Sequence, residues 1–244
     1  MVEEDRRTGI SMNKSKKVLL YSGGMDSWLI DKIAKPDVKL FVDIGTESAA
    51  GEIRHLPKDV EIARLRDLGE WERVETDFIL PLRNLYLIAL ATNYGEHIIL
   101  GANATDATYD KTYEFADKLE DLLNYMWLPQ KWTKGKQIKV DVSYREFTKS
   151  QLLKKYLDNG GDWRTAYNET FSCYTPNNHV ECHNCRPCFL KLMAFIDNDI
   201  PVDKEILKTY LPYIEKKLEE FKDKWGDRLY NKEDYEKVIK LANR

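Results

Sequence analysis

Short apolar runs alternate along the chain with longer segments whose apolar residues recur at helical spacing. Lys17-Val18-Leu19-Leu20-Tyr21 stops abruptly at Ser22-Gly23-Gly24, which predicts a strand running into a glycine turn. Residues 26–34 then read as a helix, with Trp28, Leu29, Ile30 and Ile33 on its buried face and Pro36 ending it. Residues 38–42 predict a second strand, and residues 60–65, which alternate with period two, a third. A helix follows over 82–94, its broad apolar face made by Leu85, Leu87, Ile88, Leu90 and Ala91. Residues 97–100 form a fourth strand ending at Gly101, and residues 112–127 a helix broken by Pro129. A fifth strand at 138–142 leads to a helix at 149–157, closed by Asn159-Gly160-Gly161. Beyond lie helical periodicity at 189–196 and two amphipathic, lysine-rich helices at 204–222 and 232–242. Alternation of this kind predicts an α/β fold, a doubly wound, Rossmann-like parallel sheet of about five strands with helices on both faces. In such sheets ligands sit at the carboxyl ends of the strands.

Composition narrows the classes. A chain of 244 residues, 43% hydrophobic with 14 Tyr and 6 Trp, can bury one large core with a short appendage. The expected organisation is a flexible lead-in at 1–15, an α/β domain at 16–160 and a helical, cysteine-bearing region at 161–244. The 38 basic and 41 acidic side chains nearly cancel, so no global field attracts a polyanion and nucleic acid is not predicted as a direct substrate. No run approaches the ~20 apolar residues of a membrane span, and the charged N-terminus lacks the apolar stretch of a secretory signal. A cytoplasmic location without membrane partners is expected. The four cysteines all fall between Cys173 and Cys188, a crowding that suits a metal site in a reducing compartment better than a scattered disulfide framework.

Ser22-Gly23-Gly24-Met25-Asp26-Ser27 links the first strand to a helix. Glycines there permit positive φ and let backbone amides approach a ligand. The helix N-terminus adds unpaired N–H groups and partial positive charge, so a phosphate fits without a lysine. Ser22 and Ser27 offer hydroxyls, and Asp26 suits a magnesium ion bridging phosphates. The plainer reading is a tight turn whose Asp or Ser caps the helix.

Cys173-x(8)-Cys182-x(2)-Cys185-x(2)-Cys188 supplies enough thiolates for a closed tetrahedral zinc site, whose role would be folding and not chemistry. Redox cycling of a C-x-x-C pair is the rival reading. His179 and His183 offer substitutes for one thiolate.

The string S-G-G-x-D-S after a buried strand resembles the PP-loop signature of the adenine-nucleotide α-hydrolases (the HUP class). No G-K-[ST] follows, so it is not the P-loop of kinases. The resemblance implies that Ser22, Gly23, Gly24, Met25, Asp26 and Ser27 grip the pyrophosphate portion of ATP with Mg2+, that adenine lies near Val42 and Asp43, and that attack occurs at the α-phosphorus. Ser172-Cys173-Tyr174, the Cys182/Cys185/Cys188 triplet, Lys191 and Phe195 resemble the zinc segment of the 7-cyano-7-deazaguanine synthase (QueC) family. Pro81-x-Arg83-Asn84 is similar to its P-x-R-N, and Gly101-Ala102 with Asp106 to its G-x(4)-D. Lys149 falls where that family has a lysine opening a late helix. The similarity runs through residues 17–196 in the family's order.

What the resemblance implies is an ATP-dependent ligase that turns 7-carboxy-7-deazaguanine and ammonia into an amide and then a nitrile, with adenylation at each stage. Arg83 and Asn84 would shape the floor of the site, Asp106 would face magnesium or substrate, and Lys149 would stabilise phosphate charge. Gly101 would lie against the nucleotide, Cys173, Cys182, Cys185 and Cys188 would hold Zn2+, and a homodimer is common among such relatives. Arg83 and Asn84 also read as helix-start residues, Asp106 as a turn residue and Lys149 as a surface charge. Two stretches depart from the family. D-x-G-Q-x-H becomes Asp43-Ile44-Gly45-Thr46-Glu47-Ser48, and Y-P-D-C-R is reduced to Tyr109-Asp110-Lys111. Since both lie where substrate is read, the alternative is a diverged PP-loop adenylating enzyme acting on another carboxyl, base or protein acceptor.

Overall fold

The computed structural model describes residues 15–73, 80–106, 108–173, 180–222 and 231–243. The lead-in at 1–14, Tyr174 and His179 lie outside them. Five strands form one parallel sheet: β1 (Lys17–Leu20), β2 (Val38–Asp43), β3 (Glu61–Arg64), β4 (His97–Ile99) and β5 (Lys139–Asp141). Their spatial order is β3-β2-β1-β4-β5. The chain winds outward from β1 through β2 to β3, then returns to the other side of β1 for β4 and β5. Val18 is paired with Val38 on one side and Ile98 on the other. The winding therefore reverses between β1 and β4, and a crevice opens at their carboxyl ends.

Period two decides which residues face which layer. Val18, Leu20, Leu40, Val42, Ile98 and Val140 pack against α3 (Arg83–Ala91) and α4 (Tyr113–Met126). Leu19, Tyr21, Phe41 and Ile99 point the other way, onto α1 (Met25–Ala34), α5 (Lys149–Asp158), α6 (Trp163–Asn168) and part of α7 (Arg186–Ile196). Helices thus cover both faces, as the alternation predicts, and the fold is Rossmann-like.

Helix α7 is buried nearly all round because it serves two cores. Ala194 and Phe195 meet the sheet layer, whereas Phe189, Leu192, Met193 and Ile196 meet α8 (Lys204–Thr209), α9 (Leu211–Glu220) and α10 (Lys232–Ala242). The tail differs from expectation at 204–222, which is two helices and not one. Pro212 lacks the N–H and is tolerated only in the first turn of a helix, so the chain restarts at Leu211. Two helices have no counterpart in the periodicity reading. These are α2 (Glu47–Ile53), capped by Thr46 whose hydroxyl accepts the Ala49 N–H at 3.2 Å, and α6. No helix of the described residues is long and apolar enough to cross a membrane.

Candidate active site and candidate metal centre

The crevice between β1 and β4 deepens into a cleft of about 330 Å³. The glycine turn forms one wall. Gly23 adopts φ +76°, a conformation glycine reaches without strain, and the chain leaves it through extended Gly24 into α1. The turn is cross-braced by its own hydroxyls: Ser27 Oγ accepts the Ser22 N–H at 3.2 Å and donates to the Gly24 carbonyl at 3.0 Å. A strap at residues 171–173 holds it from outside. The Phe171 N–H donates to the Gly23 carbonyl, and the Met25 N–H donates to Ser172 Oγ at 3.3 Å. The Gly24 N–H donates to Ser22 Oγ, also at 3.3 Å. Both bonds are long and neutral, so a charged phosphate oxygen would displace them readily.

Asp26 stands in the first turn of α1 and reaches into the cleft. Its Oδ2 accepts Lys149 Nζ at 2.6 Å and Asn103 Nδ2 at 3.0 Å. Its Oδ1 is buried and accepts no hydrogen bond. Because an unsatisfied buried acceptor is costly, that oxygen is suited to a cation arriving with a nucleotide. Asp106 lies nearby, bound to Lys111 Nζ at 2.7 Å and to the Asn103 N–H at 2.9 Å. Asn103 therefore ties the two aspartates together. It follows the end of β4, where a strand-end rule pointed, but its residue type gave no signal of its own. Lys111, which lies in the stretch that departs from the family pattern, enters the site through its ion pair with Asp106.

Arg83 and Asn84 open α3 at the cleft floor. Leu82 before them is left-handed at φ 60°, which for an L-residue costs about 1–2 kcal/mol and turns the chain into the helix. Asn84 is buried and donates to Asp110 Oδ2 at 2.7 Å. The Arg83 side chain makes no ion pair within 4.0 Å among the described residues, leaving its guanidinium available to an anion. The cleft thus gathers Ser22, Gly24, Met25, Asp26, Ser27, Val42, Arg83, Asn84, Gly101, Asp106 and Lys149. It does not gather Gly23, which shapes the turn from behind, or Asp43. The Asp43 carboxylate accepts Arg66 Nε at 2.7 Å and the Gly45 N–H at 3.1 Å. Gly45, at φ +83°, lies so close to the Arg66 carbonyl that any Cβ would collide with it.

Glu52 on α2 also lines the cleft, and nothing in its spacing had marked it. Burial pushes its carboxyl up to about 7, against the opposing pull of the Arg83 charge.

The four cysteine sulfurs converge within 4.8 Å of one another. Tetrahedral zinc with bonds of about 2.3 Å places sulfurs about 3.8 Å apart, so the set fits. Backbone donors support it: the Cys182 N–H reaches Cys173 Sγ at 3.4 Å and the Asn184 N–H reaches Cys182 Sγ at 3.3 Å. Cys185 caps α7 and Cys188 lies in its first turn. Bonds to Cys173 and Cys185, then burial, drive the Cys188 thiol far up, the penalty that a divalent cation reverses. His183 is elsewhere, at 2.9 Å from Thr209 Oγ1 and stacked on Tyr210.

The two sites touch through the strap. Cys188 Sγ donates to the Ser172 carbonyl at 3.1 Å, while Glu181 accepts the Ser172 N–H at 2.6 Å and Lys191 Nζ at 2.9 Å. Lys191 is buried and also donates to the carbonyls of Tyr167 and Thr170. The cysteine centre thereby fixes the segment that braces the glycine turn.

Comparison with known proteins points the same way. The sequence model of the queuosine biosynthesis protein QueC matches residues 37–199, more than half of the chain. A 7-cyano-7-deazaguanine synthase of Citrifermentans bemidjiense is 27% identical over 222 residues, spanning 75% of this chain and 94% of the relative. One from Thermoplasma acidophilum is 27% identical over 87% of this chain and 83% of its own length. One from Rickettsia canadensis reaches 30% over 150 residues, 58% of this chain. Coverage this long reflects a shared fold and order of motifs, not one local match. With the glycine turn at the sheet's reversal point and four cysteines in one cluster, the chain belongs to the QueC family, within the PP-loop ATP pyrophosphatase superfamily.

Proposed function

We propose that the chain converts 7-carboxy-7-deazaguanine and ammonia to 7-cyano-7-deazaguanine, forming first the amide and then the nitrile, and releasing AMP and pyrophosphate at each stage. The observation that carries this reading is Asp26 Oδ1. It is a buried, unpartnered carboxylate oxygen beside the glycine turn, with Lys149 held 2.6 Å from its sister oxygen.

The N–H groups at the start of α1 and the Ser22 and Ser27 hydroxyls bind the phosphates of ATP, aided by the helix dipole. Val42 and Gly101 flank the nucleotide, with Asp43 behind, bracing the end of β2. Magnesium, held by Asp26 and Asp106, would neutralise phosphate charge as the pyrophosphate departs. Lys149 adds a positive charge to the same oxygens. Arg83 receives the substrate carboxylate and aims one of its oxygens at the α-phosphorus, and Asn84, locked by Asp110, keeps the floor rigid. The sulfurs of Cys173, Cys182, Cys185 and Cys188 hold zinc as a structural centre. The enzyme is a carbon–nitrogen ligase on this account, with free ammonia as donor.

Incubating the protein with ATP, magnesium, ammonia and the deazapurine acid should give AMP, pyrophosphate and the nitrile by mass spectrometry. No AMP above background would overturn the reading. A second reading, adenylation of a different acceptor, draws on Thr46. Its hydroxyl is spent on capping α2, at the position where the family carries glutamine. AMP formation with another carboxyl, base or protein acceptor, and no nitrile from the deazapurine acid, would favour it.

A further inference from the structure

The acids that line the cleft differ in what they are free to do. Asp26 is bonded to Lys149 and Asn103, and Asp106 to Lys111 and the Asn103 backbone. Glu52, reaching in from α2 after the second strand, has neither a hydrogen bond to its carboxylate nor an ion pair among the described residues. It shares the cleft with Arg83, the cation that reads as the receptor for the substrate carboxylate. Glu52 therefore lines the same cleft as the cation that would hold the acyl group. That is where an incoming amine needs a proton acceptor.

We propose that Glu52 is the general base of the amine-transfer half of the reaction, taking the proton that the nitrogen nucleophile must lose. This rests on the adenylation reading above. In the step, the nitrogen lone pair of ammonia forms the C–N bond to the acyl carbon. The bond from that carbon to the AMP oxygen breaks, and its electron pair leaves with AMP. The surplus proton on the new nitrogen moves to the Glu52 carboxylate, giving the neutral amide.

The environment matches the task. A base is most effective when it titrates near the working pH, and burial brings Glu52 up to about 7. The charged group acting on it from a packed element is Arg83 of α3; Arg54 and His55 follow it in its own segment. The remaining cleft charges, Asp26 with Lys149 and Asp106 with Lys111, are closed pairs. The sign follows: the carboxylate is the active form, so amine transfer should fall as pH drops below about 7.

The test separates the two half-reactions in the full-length protein. Wild type and Glu52→Gln are assayed for pyrophosphate exchange with the deazapurine acid, then for transfer to ammonia and to hydroxylamine, whose oxygen makes the nitrogen of the adduct more acidic, so that it gives up its surplus proton to water without a protein base. Glu52→Gln should slow transfer to ammonia by roughly 10²-fold. It should continue exchange, lose the pH limb near 7, and recover most of its rate with hydroxylamine. Equal losses with both amines, or a wild-type rate with ammonia, would overturn the proposal. Glu52→Asp provides a second reading should the glutamine variant not fold, since a shorter carboxylate should keep the limb but shift it. An unshifted limb would assign it to another group. No exchange in the wild type would instead refute the adenylation premise, and the assignment of Glu52 with it.

Discussion

Asp26 is held by two partners on one oxygen and by none on the other, an arrangement that a merely capping aspartate would not need. Asp26→Ala should lower AMP release by on the order of 10²-fold or more while leaving the thermal melt nearly unchanged, because it removes charge stabilisation and not packing. Full activity in that variant would return the aspartate to a capping role. A different pair should contribute to the pH dependence of stability in acid. Asp141, on β5, bonds to His97 Nε2 at 2.9 Å at the start of β4. Burial raises the Asp141 carboxyl, but bonds from His97 and Ser143 outweigh it and hold it well below the usual range. A depressed carboxyl stabilises the fold above its unfolded pKa of about 3.9, and that contribution is lost as pH falls below it. Urea unfolding of wild type and Asp141→Asn should therefore differ at pH 7 and converge in acid. A gap independent of pH would assign the difference to shape alone.

Among the elements, the strap at 171–173 links the cysteine centre to the glycine turn. Ser172 joins Met25, Glu181 and Cys188 in one network, so loss of metal should loosen the glycine turn as well as the C-terminal helices. Cys185→Ser should lower Tm by about 5 °C or more, and a strong chelator should do the same to the wild type. Equal melts would contradict a structural metal. Ser172→Ala keeps the metal but removes the hydroxyl that receives the Met25 N–H. Because a phosphate oxygen must otherwise displace that bond, the variant should bind ATP as well as wild type or up to about threefold tighter in calorimetry, with zinc content unchanged; clearly weaker binding would show that the bond braces the turn instead. Elements of this size also mark where the sequence could be read. Strands β1, β2 and β4 and helices α1 and α4 carry apolar periodicity and are legible to within a residue, whereas α7 begins at Arg186, three residues before its periodicity shows at 189. Helices α2 and α6 are seven and six residues long, too short for a 3.6-residue period to declare itself. With α2 unread, Glu52 had no face to belong to.

At the scale of the whole molecule, function follows from where the winding reverses. Strand order β3-β2-β1-β4-β5 leaves the ends of β1 and β4 uncovered by a crossover, and the turn after β1 and the loop after β4 meet there. The S-G-G-x-D-S string and the cysteine spacing were visible in the chain because each is local. Contacts between distant segments were not: Lys149 to Asp26, Asn103 to both aspartates, and Glu181 to Lys191 exist only once the sheet is wound. The central claim is that this cleft directs a substrate carboxylate onto the α-phosphorus of ATP. Turnover of 7-carboxy-7-deazaguanine carrying heavy oxygen in its carboxyl group tests it most directly. The account predicts that one heavy oxygen appears in AMP and none in pyrophosphate; formation of ADP, or AMP without label, would contradict it.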